Sequence, residues 1–195
     1  VRGEPVVSEG MLVVPMRRNS SVRRVSGALL AGIDLWSGEL RWVRPLCSVG
    51  VPAFSRAART AERAIAFEGV VYRTDSLGVV SAVEAETGRP VWVRRTSPPT
   101  DMRAFSAFSL QSPNQPWAAS QPIVDGNSLI VLAPDSSAVL RLSAVDGTLL
   151  GRRPIEEMGE NNTPPSYLLR CGDRLLVVTH DRVLSLALSD FERSP

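Results

Sequence analysis

His180 is the only histidine among the 195 residues, and Asp181 follows it directly. An imidazole beside a carboxylate is part of an acyl-transfer triad, which also needs a nucleophile held within hydrogen-bond reach. No Gly-x-Ser-x-Gly elbow is present to hold one, and one histidine without clustered carboxylates offers a metal too few donors. The pair therefore reads as a solvated turn. Asp34, Asp75, Asp101, Asp125, Asp135, Asp146 and Asp173 are the other candidate bases. Most of them coincide with turn signals, where aspartate is favoured because its carboxylate binds the backbone just beyond it. On this reading alanine at Asp75 or His180 leaves stability and binding nearly unchanged. Cys47 and Cys171 lack the Cys-x-x-Cys spacing of a zinc or redox site. Both read as buried apolar fillers, and a single bridge between them stays open as a possibility in an oxidising compartment. No catalytic, cofactor-binding or metal-binding residue is assigned.

Charge adds little chemistry. The chain carries 22 basic and 20 acidic side chains. Its arginine pairs, Arg17-Arg18, Arg23-Arg24, Arg94-Arg95 and Arg152-Arg153, are scattered, whereas nucleic-acid binders gather positive charge on one face and interleave aromatics. Solvated surface is the better reading, and no nucleic-acid partner is expected. A hydrophobic fraction of 44% against 22% charged residues suits a globular protein with a sizeable core. No apolar run reaches the ~20 residues that a membrane-spanning helix needs, and the first residues do not read as a signal peptide.

The elements that would position any site are repeats. Leu35-Trp36-Ser37-Gly38-Glu39-Leu40-Arg41-Trp42 is echoed by Ala85-Glu86-Thr87-Gly88-Arg89-Pro90-Val91-Trp92, and more faintly by Ala144-Val145-Asp146-Gly147-Thr148-Leu149-Leu150-Gly151. Before each lies an apolar run broken at glycine: Gly10, Gly69, Gly126 and, in a fourth copy, Gly172. The second unit reads as four short strands over 64–67, 70–73, 79–85 and 91–95 with turns between them, the spacing of an antiparallel meander. The third repeats it over 121–124, 129–132, 138–144 and 149–154. The first fits over 5–8, 11–16, 28–35 and 39–45 if Arg17 to Gly27 is an extended polar loop. The fourth fits over 167–170, 175–179 and 183–188 without an outer strand. A unit that cannot bury its apolar face alone must stack on its neighbours.

The units are about 5–46, 64–96, 121–155 and 167–190 of one domain over 1–195, with connecting insertions at 47–63 and 97–120. The first insertion leaves room for a short helix, while Pro98, Pro99, Pro113 and Pro116 forbid one in the second. Phe105, Phe108 and Trp117 in that segment either pack over the repeats or anchor a partner. Asn19-Ser20-Ser21 and Asn161-Asn162-Thr163 match the glycosylation pattern and read as loops. Glycine four residues before tryptophan supplies a left-handed turn, after which the outgoing strand projects a ring toward the next sheet. Gly38, Trp42, Gly88, Trp92 and Gly147 form this structural signature. Gly151 replaces the ring in the third unit, which predicts a weaker or differently packed junction there.

On these motifs the chain resembles the PQQ-like (pyrroloquinoline quinone repeat) β-propeller family of the quinoprotein alcohol dehydrogenase-like superfamily. The resemblance implies an all-β, partial β-propeller of about four four-stranded antiparallel blades, the last incomplete. It implies a ring completed by more of the same protein or by a second copy. It also implies a non-catalytic scaffold for protein interaction or ligand recognition in the bacterial envelope or periplasm, binding protein partners through its loops, and no cofactor. The same resemblance admits a fragment of a PQQ-dependent dehydrogenase, with PQQ and calcium, or a sensor domain of a kinase-linked protein. Such a dehydrogenase covers its quinone with adjacent cysteines, which this chain lacks.

Overall fold

A computed structural model describes residues 3–20, 25–50, 63–75, 77–96, 120–133, 138–154, 167–179 and 182–191. The strand order is β1 (Val6–Ser8), β2 (Met11–Ser20), β3 (Val25–Asp34) and β4 (Leu40–Gly50), then β5 (Arg63–Phe67), β6 (Val70–Thr74), β7 (Val79–Glu84) and β8 (Pro90–Arg95). There follow β9 (Ile123–Asp125), β10 (Ser128–Leu132), β11 (Ala138–Ser143) and β12 (Leu149–Pro154). Last come β13 (Tyr167–Cys171), β14 (Arg174–Val178), β15 (Val183–Ala187) and a 3-10 turn (Leu188–Phe191). They form three four-stranded antiparallel meanders and one three-stranded meander, each in chain order. First strands of neighbouring sheets approach one another, β1 to β5 and β9 to β13. The arrangement is a partial propeller whose sheets do not close.

Alternating side chains explain the stacking. In the second sheet Val71 and Val83 join Met11, Val13 and Leu30 of the first. Tyr72, Val80 and Ala82, on the opposite face, join Leu129, Leu140 and Leu142 of the third. Ile130, Leu132 and Val139 of the third sheet meet Leu168, Leu175 and Val177 of the fourth. A sheet between two others needs apolar residues on both faces, which is why all five residues of β10 are buried.

Two ends of the stack differ. At one end lie the hairpins between first and second strands and the turns between third and fourth. Glu9-Gly10 and Glu68-Gly69 have φ of 49° and 71°, and 48° and 74°, the paired positive values of a type I′ turn. In the third and fourth sheets the loop residues are Gly126-Asn127 and Gly172-Asp173, so glycine has moved to the first loop position. At the other end lie the loops between second and third strands, and there each fourth strand ends and the next sheet begins.

The expected loop from Arg17 to Gly27 is corrected. β2 and β3 stay paired out to Ser20 and Val25, and β4 continues beside them to Gly50. Asn19 and Ser20 are therefore strand residues, as are Cys47 to Gly50, and the first sheet projects beyond the others. The helix considered within 47–63 has no counterpart at Cys47 to Gly50, and residues 51–62 lie outside the described residues. Also outside them are His180, Asp181, Asp101, Asp135, Phe105, Phe108, Trp117, Asn161, Asn162 and Thr163.

Candidate functional site

The signature residues assemble into one device, used twice. In the second sheet, Gly88 N–H donates to Glu84 O (3.0 Å), Glu84 N–H to Arg89 O (2.9 Å) and Ala85 N–H to Gly69 O (2.8 Å). The third sheet repeats all three: Gly147 to Ser143 (2.9 Å), Ser143 to Thr148 (2.7 Å) and Ala144 to Asn127 (2.8 Å). Gly88 and Gly147 have φ of 68° and 73°, a left-handed backbone that L side chains adopt at a cost. Their second role is close approach. A Cβ on Gly147 meets the Trp92 ring at 2.7 Å, and one on Gly88 collides with the Trp42 ring.

Each ring is aimed by a bulge. Ala82 pairs with Trp92 but Val83 with Pro90, so Val91 is the extra residue. Gly32 pairs with Trp42 and Ile33 with Leu40, leaving Arg41 extra at the same point of the first sheet. The third sheet places Leu150 there, before Gly151. A bulge re-aims the side chain that follows it. The Trp92 indole donates to Ala144 O at 2.9 Å, and Trp42 donates at 3.1 Å to both Ala85 O and Glu86 O. Two residues on, Arg94 donates to Gly147 O and Arg44 to Gly88 O, each at 2.9 Å. A Trp-x-Arg strand thus clasps the glycine turn of the following sheet. Trp92 is buried, while Trp42 is only half-buried.

The third junction is packed differently. Leu188 N–H donates to Asp173 O, the bond that Ala85 and Ala144 make in their sheets, so Phe191 stands where Gly88 and Gly147 stand. Opposite it is Gly151, where a Cβ collides with the Phe191 backbone. Phe191 is 3% exposed. No ring lies on Gly151 among the described residues, and the Phe191 side chain joins Leu168, Leu175 and Val177 in a buried cluster. Arg153 stands where Arg44 and Arg94 do, and its buried Nε has no hydrogen-bond partner among the described residues.

The carboxylates brace turns. Asp34 accepts from the amides of Trp36 (3.0 Å) and Ser37 (2.9 Å) and from Arg41 (3.0 Å). The Ser37 amide, then Arg41, holds its carboxyl down to about 2. Glu84 is drawn down to about 2 by Arg89, then by the Thr87 hydroxyl. Asp146 is lowered by the Thr148 amide. Asp125 ends β9 and joins two sheets through Arg141 (3.4 Å) and Arg170 (2.9 Å).

At the opposite end a polar layer lies between the first and second sheets, unmarked by any sequence motif. Asp75 is 2% exposed and Arg73 1%. Asp75 Oδ1 accepts from the amides of Leu77 (2.8 Å) and Val79 (3.2 Å), and its Oδ2 accepts from the Cys47 thiol at 3.3 Å. Burial first, then the Asp75 charge, pushes the Cys47 thiol up to about 12, with Arg73 opposing. The pair is a tie between sheets and supplies neither a nucleophile nor a free base. Two expectations are corrected: Asp75 is a turn residue but is buried and bonded to Cys47, so its replacement is expected to lower stability, and Cys171 is exposed, not a buried filler. Cys47 and Cys171 are free.

These residues do not fit a quinone with calcium. Oxygens of Asp34, Asp75, Asp125 and Asp146 are committed to turn amides, a thiol or arginines, and Trp42 and Trp92 already lie on glycines. Among the described residues no three His, Cys, Asp or Glu side chains group to hold a metal, and no helix is long and apolar enough to cross a membrane.

BamB from Moraxella catarrhalis superposes with a TM-score of 0.52 at 16% identity, covering 94% of this chain and 41% of that one. The computationally designed Ika8 protein gives 0.57 at 12%, covering 94% and 44%. A quinohemoprotein alcohol dehydrogenase from Pseudomonas putida HK5 gives 0.55 at 13%, covering 89% and 27%. Likeness at such identity concerns the fold, and the chain spans less than half the length of these proteins. No curated protein sequence matches it. Residues 18–190, however, match the family model described as outer membrane protein assembly factor BamB. The chain belongs to that family of PQQ-like repeat proteins, and its fold is a partial β-propeller.

Proposed function

We propose that this chain is part of a non-catalytic propeller in the bacterial envelope that binds protein partners through the segments joining its sheets. The observation that carries the reading is the division between the two ends. At the tight-turn end, amides, carbonyls and carboxylates are largely committed to identical turns and to the neighbouring sheet. At the opposite end the first sheet projects past the others, and there β4 and β8 end and β5 and β9 begin. Binding residues are disproportionately found on connections that a rigid scaffold positions. The family description, an assembly factor for outer membrane proteins, supports a task of protein contact.

The test replaces residues 97–119 of the complete protein by a Gly-Ser linker of equal length and follows outer-membrane β-barrel proteins in the producing cell. Retained melting temperature with depleted β-barrel proteins is the expected result. Unchanged levels, or dye reduction by the complete protein supplied with PQQ, calcium and an alcohol, overturn the proposal.

A further inference from the structure

None of the 195 residues is lysine, so all 22 basic side chains are arginine. Four arginine pairs stand apart in the sequence, and the fold gathers three of them at one end of the stack. Arg17-Arg18 lies near the end of β2, Arg94-Arg95 closes β8 and Arg152-Arg153 lies near the end of β12, and all three strands run away from the tight turns. Arg23-Arg24 falls outside the described residues. Successive strand residues face opposite ways, so each pair divides its members. Arg94 reaches Gly147 O, and Arg17 and Arg153 are half-buried, whereas Arg18, Arg95 and Arg152 are exposed.

The two ends treat arginine differently. At the tight-turn end Arg41 pairs with Asp34, Arg89 with Glu84, and both Arg141 and Arg170 with Asp125. Further carboxylates stand exposed there, among them Glu9, Glu68, Glu86 and Asp173. At the other end the carboxylates among the described residues are Glu4 and Asp75. Glu4 takes Arg63, and the buried Asp75 takes two amides and the Cys47 thiol. No carboxylate among the described residues pairs with Arg18, Arg95 or Arg152.

We propose that Arg18, Arg95 and Arg152 form a basic docking end that receives an acidic surface of a protein partner. The inference rests on the partner-binding reading and adds the partner's chemistry. A guanidinium is a planar fork that matches a carboxylate with two parallel N–H···O bonds. The three guanidiniums belong to three sheets and are carried on paired strands. They are spaced points on a rigid frame, which suits carboxylates fixed on a folded protein better than the continuous charge of a nucleic acid or a bilayer. Segregated charge also orients the approach, because the carboxylate-rich end repels the same partner and the arginine end meets it first. The acidic end of a second copy is a less suitable occupant, since such a head-to-tail contact extends into a filament unless its rotation closes a ring.

The test places a photo-crosslinking amino acid at Val93 of the complete protein, two residues before Arg95 on the same face of β8 and 45% exposed. The joined peptide is identified by mass spectrometry from the producing cell. The expected product is a peptide of another protein rich in Asp and Glu. It is lost when Arg18→Glu, Arg95→Glu and Arg152→Glu are combined, with the melting temperature unchanged. The same three positions changed to Gln remove the charge without reversing it and serve if the Glu variant does not fold. A joined peptide without net negative charge, an adduct to lipid, nucleic acid or a second copy, or no adduct overturns the inference. A non-acidic peptide of another protein overturns this inference alone, because the partner-binding reading is decided separately by the linker replacement of residues 97–119. A defined probe supplies a second readout. Binding of a fluorescent decaglutamate peptide at low salt should weaken on the order of tenfold in the triple variant, as the loss of three exposed ion pairs implies. Equal affinity in parent and variant, or tighter binding of phosphatidylglycerol vesicles than of the peptide, overturns it.

Discussion

The second and third sheets are joined by a ring that reaches forward, the third and fourth by a segment, ending at Phe191, that reaches back. At the first of these junctions Trp92 of the earlier sheet lies on Gly147 of the later one. At the second, the Phe191 backbone of the later sheet lies against Gly151 of the earlier one. Both junctions therefore need a position without a Cβ, which admits an indole ring at one and backbone at the other, where the Phe191 side chain instead joins the apolar cluster between the third and fourth sheets. Close-packed interiors fix the summed volume at a contact more strictly than the identity of each contributor. The polar clasp is less transferable. Arg94 reaches Gly147 O and the indole reaches Ala144 O, whereas the buried Arg153 Nε has no hydrogen-bond partner among the described residues.

The largest expected effect comes from removing the forward ring. Trp92→Ala loses a buried ring and the bond to Ala144 O, and it strips Tyr72 of its aromatic neighbour at 6.2 Å. Such truncations cost about 3–5 kcal/mol, read as a shift in the urea midpoint. A loss smaller than that of Phe191→Ala sinks the idea that the forward junction is the stronger. Next in size is the exchange of the backward arrangement for the forward one. Gly151→Trp alone drives a ring into the Phe191 backbone, and Phe191→Gly alone leaves a cavity. Glycine at 191 keeps the carbonyl that the new ring meets but lets that backbone yield and opens space for the ring, so the double variant should be more stable than the sum of the singles by about 0.5–3 kcal/mol, the usual range for residues in contact. Strict additivity breaks the comparison.

The forward junctions were legible because each part leaves a mark in the sequence. A left-handed turn selects glycine, an outgoing strand selects β-branched residues, and the docking ring is large and rare. The propeller of four stacked meanders follows from repeating those marks. The backward junction was half legible: Gly151 announced a missing ring, but Phe191 gave no sign of replacing it, since Leu188 to Phe191 lacks the turn glycine by which its sheet would align. An unpaired small residue in one unit and a surplus aromatic at the turn of the next is the signal that finds it. The projecting edge of the first sheet was hidden for another reason. Arg17, Arg18, Asn19 and Ser20 are polar residues of a sheet margin, and their pairing is imposed by β3 and β4 beside them, where tertiary context overrides strand propensity. Cys47 and Asp75 belong to different sheets, and their contact has no local trace.

The smallest expected effect lies in the turns that receive the forward rings, where carboxylates brace the loop beneath each tryptophan. Glu84 braces the turn under Trp42, and its carboxyl falls from 4.5 to about 2 through Arg89 and the Thr87 hydroxyl. Asp146, under Trp92, is lowered by the Thr148 amide. A folded-state value below the unfolded one means that the unfolded chain binds the proton more readily. The contribution is therefore complete above the unfolded value and disappears as the pH falls through the folded one. The melting temperature of the parent should be flat with respect to these groups above about 4.5 and should decline between about 4.5 and 2. Both carboxylates are exposed to water, which screens their interactions and keeps the effect small. In Glu84→Gln the decline should be shallower, with the lost part already missing at neutral pH. If the variant and the parent decline with the same slope, Glu84 does not brace the turn, and the forward junction rests on its ring and its glycine alone.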